Sequence, residues 1–371
     1  MKLYYIAEIT KIKENLPGVL KKINQHIELF KQNNFEVEVI DSSKHYNGLI
    51  DKVYCSLPFT ACAGDWKNIS CIDDNSCLYI RYNRSDNMLI KKLKYLKNNT
   101  KGLKIIVEIP TYPYSTETKI RLKSFAKHMK DKFNRNKLYK YVDKIVTYSE
   151  DEFIFNIETI NIHNSLIGSS IKPKVVKEIS KNREINVLAI ATFEEWHGYD
   201  RFIKGLGLYY SKNYDIDIKL HLVGDGPSIK NYKKLVNEFN IEKYVKFYGF
   251  KTGKELEEIY NTIDIALDAM GRHRGGVFYN STLKGKEYAF KGIPSISGVK
   301  TDLDKYKEFK YYFRVPADET IIDMSDVINF YKNIYENKES YAEVINNIRC
   351  FAEQNFEMNI CMKEVIEYIK S

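Results

Sequence analysis

No run of about 18 apolar residues occurs anywhere in this 371-residue chain, which excludes a membrane-spanning helix. The opening MKLYYIAEITK has neither the apolar length nor the small-residue cleavage site of a secretory leader, so an uncleaved, non-spanning protein is expected. Cysteine is scarce. The six (Cys55, Cys62, Cys71, Cys77, Cys350 and Cys361) form no CxxC pair and have no zinc spacing with histidine, so they read as reduced packing thiols. Eight prolines and 18 glycines are too few for a collagen-like or low-complexity chain. What is present is an ordinary globular composition, 44% hydrophobic and 29% charged. At roughly 150 residues per domain the length predicts two to three domains.

Charge is unevenly divided. The net +9 comes from the first part: residues 1–150 carry 27 basic and 16 acidic side chains, whereas residues 151–371 carry 31 and 33. The excess is densest from Lys119 to Lys144, where ten Lys and Arg face only Asp131 and Asp143. Ile120, Leu122, Phe125, Met129, Phe133, Leu138 and Tyr141 recur among them near helical spacing, which predicts an apolar face opposite a cationic one. Such a face, with Lys123, Lys127, Lys130 and Lys137, suits an anionic membrane surface. A solvated helix packing its apolar stripe on its own domain explains the pattern equally well. No helix-turn-helix, zinc-finger, RRM or KH signature accompanies the charge, which speaks against nucleic acid as a partner.

Hydrophobic periodicity predicts α/β alternation. Strands are expected at Leu3–Ile9, Phe35–Ile40, Cys77–Tyr82, Ile105–Ile109 and Lys144–Tyr148, with helices between them. After a Lys-rich polar segment the alternation restarts at Asn186 and runs to Ile296. The expected organisation is a first doubly wound domain over 1–168, a linker over 169–185, a second domain over 186–352, and a C-terminal helix over 353–371 that packs back toward the first domain.

Parallel sheets bind ligands beyond the carboxyl ends of their strands, so the strand-to-helix loops hold the candidate chemistry. Gly224 and Gly226, in LVGDGP, permit close backbone approach, although most such turns are only turns. The segment Gly271–Pro294, GRHRGGVFYNSTLKGKEYAFKGIP, is more informative. Arg272, His273, Arg274 and a Gly-Gly pair precede a helix start at Ser281 and Thr282, whose amides favour a diphosphate. Lys284 and Glu287 share one helix face. They read either as a phosphate-neutralising cation beside a carboxylate for vicinal ribose hydroxyls, or as an ordinary intrahelical ion pair. Two Asp-x-Asp pairs, Asp215–Asp217 and Asp302–Asp304, read as surface pairs rather than metal ligands. His163 and Asn164 read as hinge or packing residues.

The assembly S-x-L-K-x-x-E-Y-x-A-x-G-x-P (Ser281 to Pro294), preceded by LVGDGP and HGYDRFIKGL, resembles the group 1 (family 4) glycosyltransferases of the GT-B fold, in particular those building capsular and exopolysaccharide units. The resemblance is specific over 186–300 and thinner in the first half. There it rests on Gly18, LYIRY with Arg81, EIPTYPY with Thr111, Tyr112 and Tyr114, and VDKIVTYS.

It implies two Rossmann-like domains facing a cleft and a metal-independent, retaining hexosyltransferase without a cofactor. A nucleotide-sugar donor, expected to be a UDP-sugar, is then held by Glu287, Lys284, Gly224, Gly226, Ser281, Thr282, Leu283, His197 and Arg201. The acceptor, expected to be a polyprenyl-diphosphate-linked saccharide, faces Gly18, Arg81, Thr111, Tyr112 and Tyr114. The expected place is the cytoplasmic face of the cell membrane. Relatives carry a Lys-Gly pair where this chain has His197-Gly198, and a glutamate where it has Tyr279. Arg274, Lys284 and Tyr279 are therefore the expected catalytic groups, with Arg201 and Arg272 as other replacements for the missing charge. An epimerase of the same fold and a non-catalytic nucleotide-sugar-binding protein are the alternatives.

Overall fold

The computed structural model describes residues 1–15, 17–43, 57, 69, 72–112, 122–175, 184–212, 214–336 and 339–371. Tyr114, Cys55, Cys62 and Cys71 lie outside them. The chain forms two units: residues 1–163 with 358–371, and residues 164–357.

The first unit is built on β1 (Lys2–Ala7), β2 (Glu36–Asp41), β3 (Cys77–Arg81), β4 (Lys104–Ile109), β5 (Lys144–Thr147), β6 (Phe153–Ile154) and β7 (Ile157–Asn161), in the order β2-β1-β3-β4-β5-β7-β6. Every neighbouring pair is parallel except the β6–β7 hairpin. The interior strands read as continuous apolar runs because both faces are covered; Leu3, Tyr4, Tyr5, Ile6 and Ala7 of β1 are all buried. The sequence did not announce β6 and β7, whose short polar-flanked runs lack a clear period. Nor did it separate the helices Ile9–Asn15 and Pro17–Gln32, which Pro17 divides by starting the second as a first-turn residue.

The second unit holds β8 (Glu184–Ile190), β9 (Asp217–Val223), β10 (Val245–Gly249), β11 (Ile265–Leu267), β12 (Ser295–Ser297) and β13 (Tyr312–Arg314), all parallel, in the order β10-β9-β8-β11-β12-β13. Helices Tyr199–Tyr210, Ile229–Glu238, Gly253–Tyr260 and Leu283–Lys291 cross between strands, and Met324–Tyr335 and Tyr341–Asn355 complete the unit. The core joins Val187, Ala189, Leu220 and Leu222 to Phe202, Leu206, Phe290, Val344 and Phe356.

The boundaries differ from expectation. The units divide at His163/Asn164, and residues 164–175 belong to the second because Lys174 is buried with its Nζ donating to the Ile263 carbonyl at 2.6 Å. The expected tail helix over 353–371 is three helices, Tyr341–Asn355, Met358–Cys361 and Lys363–Lys370, and the chain changes unit at Glu357/Met358. Lys104 Nζ of the first unit donates to the Tyr368 carbonyl at 2.9 Å, while Val365, Ile366 and Ile369 are buried. Ile360, in the short helix Met358–Cys361, is 45% exposed.

Candidate functional site

The strands of the second unit share one carboxyl edge, and their order reverses between β8 and β11, the switch point where open sheets take ligands. Loops following β8, β11 and β12 meet there. A Cβ on Gly198 would lie 2.5 Å from the Gly271 nitrogen, and one on Gly298 would lie 2.6 Å from the Met270 carbonyl oxygen. Gly198 also holds φ at 64°, so this corner is closed to side chains and the functional groups stand around it.

Lys284 stands in the first turn of helix Leu283–Lys291. Thr282 caps that helix: its Oγ1 accepts from the Gly285 N–H at 3.1 Å and donates to the Asp268 carboxylate. Asp268, the buried residue that follows β11, lies 3.8 Å from Lys284 Nζ, and the ammonium donates to the Tyr199 hydroxyl at 3.2 Å. Burial pulls Lys284 down to about 8, with Asp268 opposing and Arg272 reinforcing the shift. His197 accepts the Glu194 N–H on Nδ1 at 3.1 Å, which leaves its proton on Nε2. Burial, followed by the charges of Lys284 and Arg272, lowers it to about 3 and keeps the ring neutral. With the Asn280 amide oxygen turned toward it, Arg272 donates from Nε and Nη2 at 3.0 Å each. Two cations and one neutral N–H donor thus gather at the switch point. One turn farther along, half-buried Glu287 accepts the Tyr260 hydroxyl at 3.0 Å on Oε1.

Thr282→Ala removes both the cap and the hydroxyl partner of Asp268. It should cost about 1–2 kcal/mol, read as a lower urea midpoint at unchanged slope.

Several expected site residues have other roles. Arg274 is clamped by Asp200, through Nη1 and Nη2 at 2.9 Å each, and by Glu319, through Nε at 2.8 Å and Nη2 at 2.7 Å. Its charge is committed to holding the 271–276 loop. Arg201 is 1% exposed and donates to the carbonyls of Met270, Thr320 and Pro316, so it is a strut rather than a phosphate ligand. Tyr279 donates its hydroxyl to Asp302 at 2.6 Å, and buried Ser281 donates to the same carboxylate at 2.7 Å. Both hydroxyl protons are thus directed to Asp302. Asp302 is itself buried, not half of a surface pair, and Lys286 is its ionic partner. Leu283 packs on the core. Cβ atoms on Gly224 and Gly226 would lie 1.9 Å from the Ala191 oxygen and 2.6 Å from the Phe193 nitrogen, so those glycines admit the chain's own β8 loop.

In the first unit Arg81 Nη1 donates to buried Glu108 at 2.5 Å, and the Tyr148 hydroxyl donates to the same oxygen at 2.9 Å. Thr111 is exposed and Tyr112 packs edge-on against Phe155. Gly18 falls in helix Pro17–Gln32, while Lys123 and Lys127 fall in helix Leu122–Arg135; the side-chain surroundings of all three lie outside what is described. Lys130 is 5% exposed whereas Phe133 is 62% exposed, the reverse of the expected faces. The end of helix Leu122–Arg135 departs from the predicted stripe because Lys130, Asp131 and Asn134 occupy its buried side, whereas Leu138, beyond the helix, is buried as expected. Among the described residues the exposed cations there are Lys132, Lys137 and Lys140.

Among known proteins, residues 171–271 match the family model described as Glycosyl transferases group 1. No curated protein matches. Solved structures with this fold include sucrose-phosphate synthase from Thermosynechococcus elongatus, with TM-score 0.64 and 13% identity over 100% of this chain and 98% of that one. Anabaena HepE in complex with UDP and glucose gives 0.59 and 12% over 100% and 99%. A lipopolysaccharide outer core galactosyltransferase in apo form gives 0.59 and 14% over 100% of each chain. The resemblance read from the sequence and the two-domain GT-B fold are both borne out.

Proposed function

We infer that the chain is a group 1 glycosyltransferase whose second unit holds a nucleotide-sugar donor, a UDP-sugar, with the diphosphate against Lys284, Arg272 and the Nε2–H of His197. The observation that carries this reading is the convergence of those three groups at the β8–β11 switch point. Charge developing on the departing diphosphate is stabilised by fixed cations and donors that need no reorganisation, so no metal is required. Arg272 takes the part expected of Arg274, because its charge acts on both His197 and Lys284. Glu287, oriented by Tyr260, accepts the ribose hydroxyls. HepE, a neighbour by fold, binds UDP and glucose, which supports this choice of donor.

Titration of UDP into the full chain tests the site. Glu287→Ala should weaken UDP at least tenfold with the melting temperature unchanged, because a carboxylate accepting two hydroxyls contributes about 1.5–3 kcal/mol. Unchanged affinity overturns the assignment.

Transfer proceeds with retention to a saccharide on a polyprenyl diphosphate held by the basic first unit. Lys132, Lys137 and Lys140 face the anionic membrane surface. No helix among the described residues is long and apolar enough to cross a bilayer. Each cation near such a surface contributes about 1 kcal/mol, so reversing all three charges should abolish sedimentation with phosphatidylserine vesicles. Equal pelleting of the variant overturns the membrane reading.

A further inference from the structure

Helix Leu283–Lys291 has two working faces. Lys284 and Glu287 lie on the donor side; Lys286 and Phe290, four apart, lie on the other and are both buried. That second face rests on the two stretches where the chain passes between units, 164–168 and 356–357. Lys286 Nζ sits 4.1 Å from the centre of the Phe356 ring and pairs with Asp302. The Asp302 oxygen that takes Lys286 also accepts the Ser281 hydroxyl at 2.7 Å. Ser281 Oγ in turn accepts the Asn164 backbone N–H at 2.8 Å, and the Asn164 side chain donates to the Ser281 carbonyl.

Phe290 closes the other end of the same contact. A Cβ on Gly168 would lie 2.4 Å from its ring, so only glycine lets the outgoing stretch lie on the helix. The outgoing and returning stretches are joined to each other: the Leu166 N–H donates to the Phe356 carbonyl at 3.3 Å, and the Gly168 N–H donates to Glu357 at 3.0 Å. Arg349 donates to the carbonyls of Phe290, Ile171 and Gly168, tying the end of the helix to the outgoing stretch. The donor helix is therefore bonded to the first residues past the outgoing boundary and, through Lys286, to the returning stretch.

We propose that the chain Asn164–Ser281–Asp302–Lys286 is a positioning device for the transfer reaction, coupling nucleotide occupancy at Lys284 and Glu287 to the order of the two interunit stretches. Asn164 and Ser281 touch no substrate; they hold the helix that does. The proposal rests on the donor reading above. Packed side chains, rigid elements and hydrogen-bonded networks carry such coupling when their contacts differ between the bound and free states. This chain is such a network within the second unit.

Hydrogen exchange on the full-length protein, with and without saturating UDP, tests the proposal alongside calorimetric UDP affinity and turnover of UDP-glucose. UDP should slow exchange in 164–168 and 354–357 of the parent. Asn164→Ala and Ser281→Ala should keep the parental UDP affinity, lose that protection, and lower kcat roughly ten- to a hundredfold with little change in KM, the cost of a misplaced helix. Ser281→Thr, which keeps the hydroxyl, should restore both protection and kcat. Protection that is absent in the parent, or that persists in the alanine variants, overturns the coupling while leaving the donor site standing. Absence of any UDP binding by the parent overturns the donor reading and this inference with it.

Discussion

Lys284→Met should all but abolish transfer while leaving the protein folded. The ammonium is the cation of the cluster nearest the capped helix start, where Thr282 has already taken up the Gly285 amide. A charge-assisted contact to a diphosphate contributes about 1.5–3 kcal/mol, so UDP affinity should fall roughly tenfold to a hundredfold. If the same charge stabilises the leaving group, kcat should fall by a further factor of about 10² to 10³. Methionine keeps the apolar stem packed beside Tyr199, so thermal unfolding should move little. A variant that binds UDP as the parent does would remove Lys284 from the site.

The depressed ammonium adds a pH signature. Burial holds Lys284 down to about 8 in the free protein, against 10.5 for the unperturbed side chain. A bound diphosphate favours the charged form and raises that value, so binding takes up a proton. Affinity should be level below pH 8 and fall by about tenfold per unit above it, until the raised value of the complex is reached. The free protein behaves in the opposite sense. Between pH 8 and 10.5 the folded state has released this proton while the unfolded state still binds it, so this group's contribution to stability rises with pH. Calorimetry in buffers of different ionisation enthalpy reads the uptake directly, and its absence in Lys284→Met assigns the proton to this residue.

Arg201→Met is expected to have the largest effect on stability. The guanidinium joins two loops through three carbonyls, Met270 in one and Pro316 and Thr320 in the other, and methionine cannot replace any of those donors. Leaving the buried Met270 carbonyl unpaired costs about 1–3 kcal/mol, while water replaces the donor at the exposed Thr320 and Pro316, so a loss of roughly 2–3 kcal/mol is expected. Because Met270 directly precedes the Gly271–Gly276 loop, the loss should appear first as mobility around Arg272 and a weaker UDP site at temperatures where the bulk remains folded. Denaturant unfolding and UDP titration on the same variant check both parts.

The doubly wound sheets were legible because buried parallel strands write themselves as apolar runs, such as LYYIA and INVLAI. Their ends were less so: β13 is a three-residue strand, YFR, with no apolar signature of its own. At the candidate site, the Lys284–Glu287 spacing was visible because helical geometry fixes it. The choice among Arg201, Arg272 and Arg274 was not, since it depends on which guanidinium finds carboxylates or carbonyls far away in sequence. Asp200, Glu319 and the Thr320 carbonyl decide it, and each meets its arginine only after folding. Asp268 passed unnoticed for a related reason. A lone aspartate after a short strand carries no pattern, and its partners Thr282 and Lys284 arrive from the next helix. The cationic helix misled because charge density says nothing of which side is turned inward: Lys130 is buried although its neighbours Lys132 and Lys137 are not.

The return of residues 358–371 to the first unit constrains any genetic dissection of this protein. A fragment ending at residue 163 would lack Met358, Met362, Val365, Ile366 and Ile369, all of which are buried in the intact chain. Coexpression of the piece 1–163 with the closing segment 358–371, or a circular permutation joining residue 371 to residue 1, is the arrangement under which each half keeps its own interior.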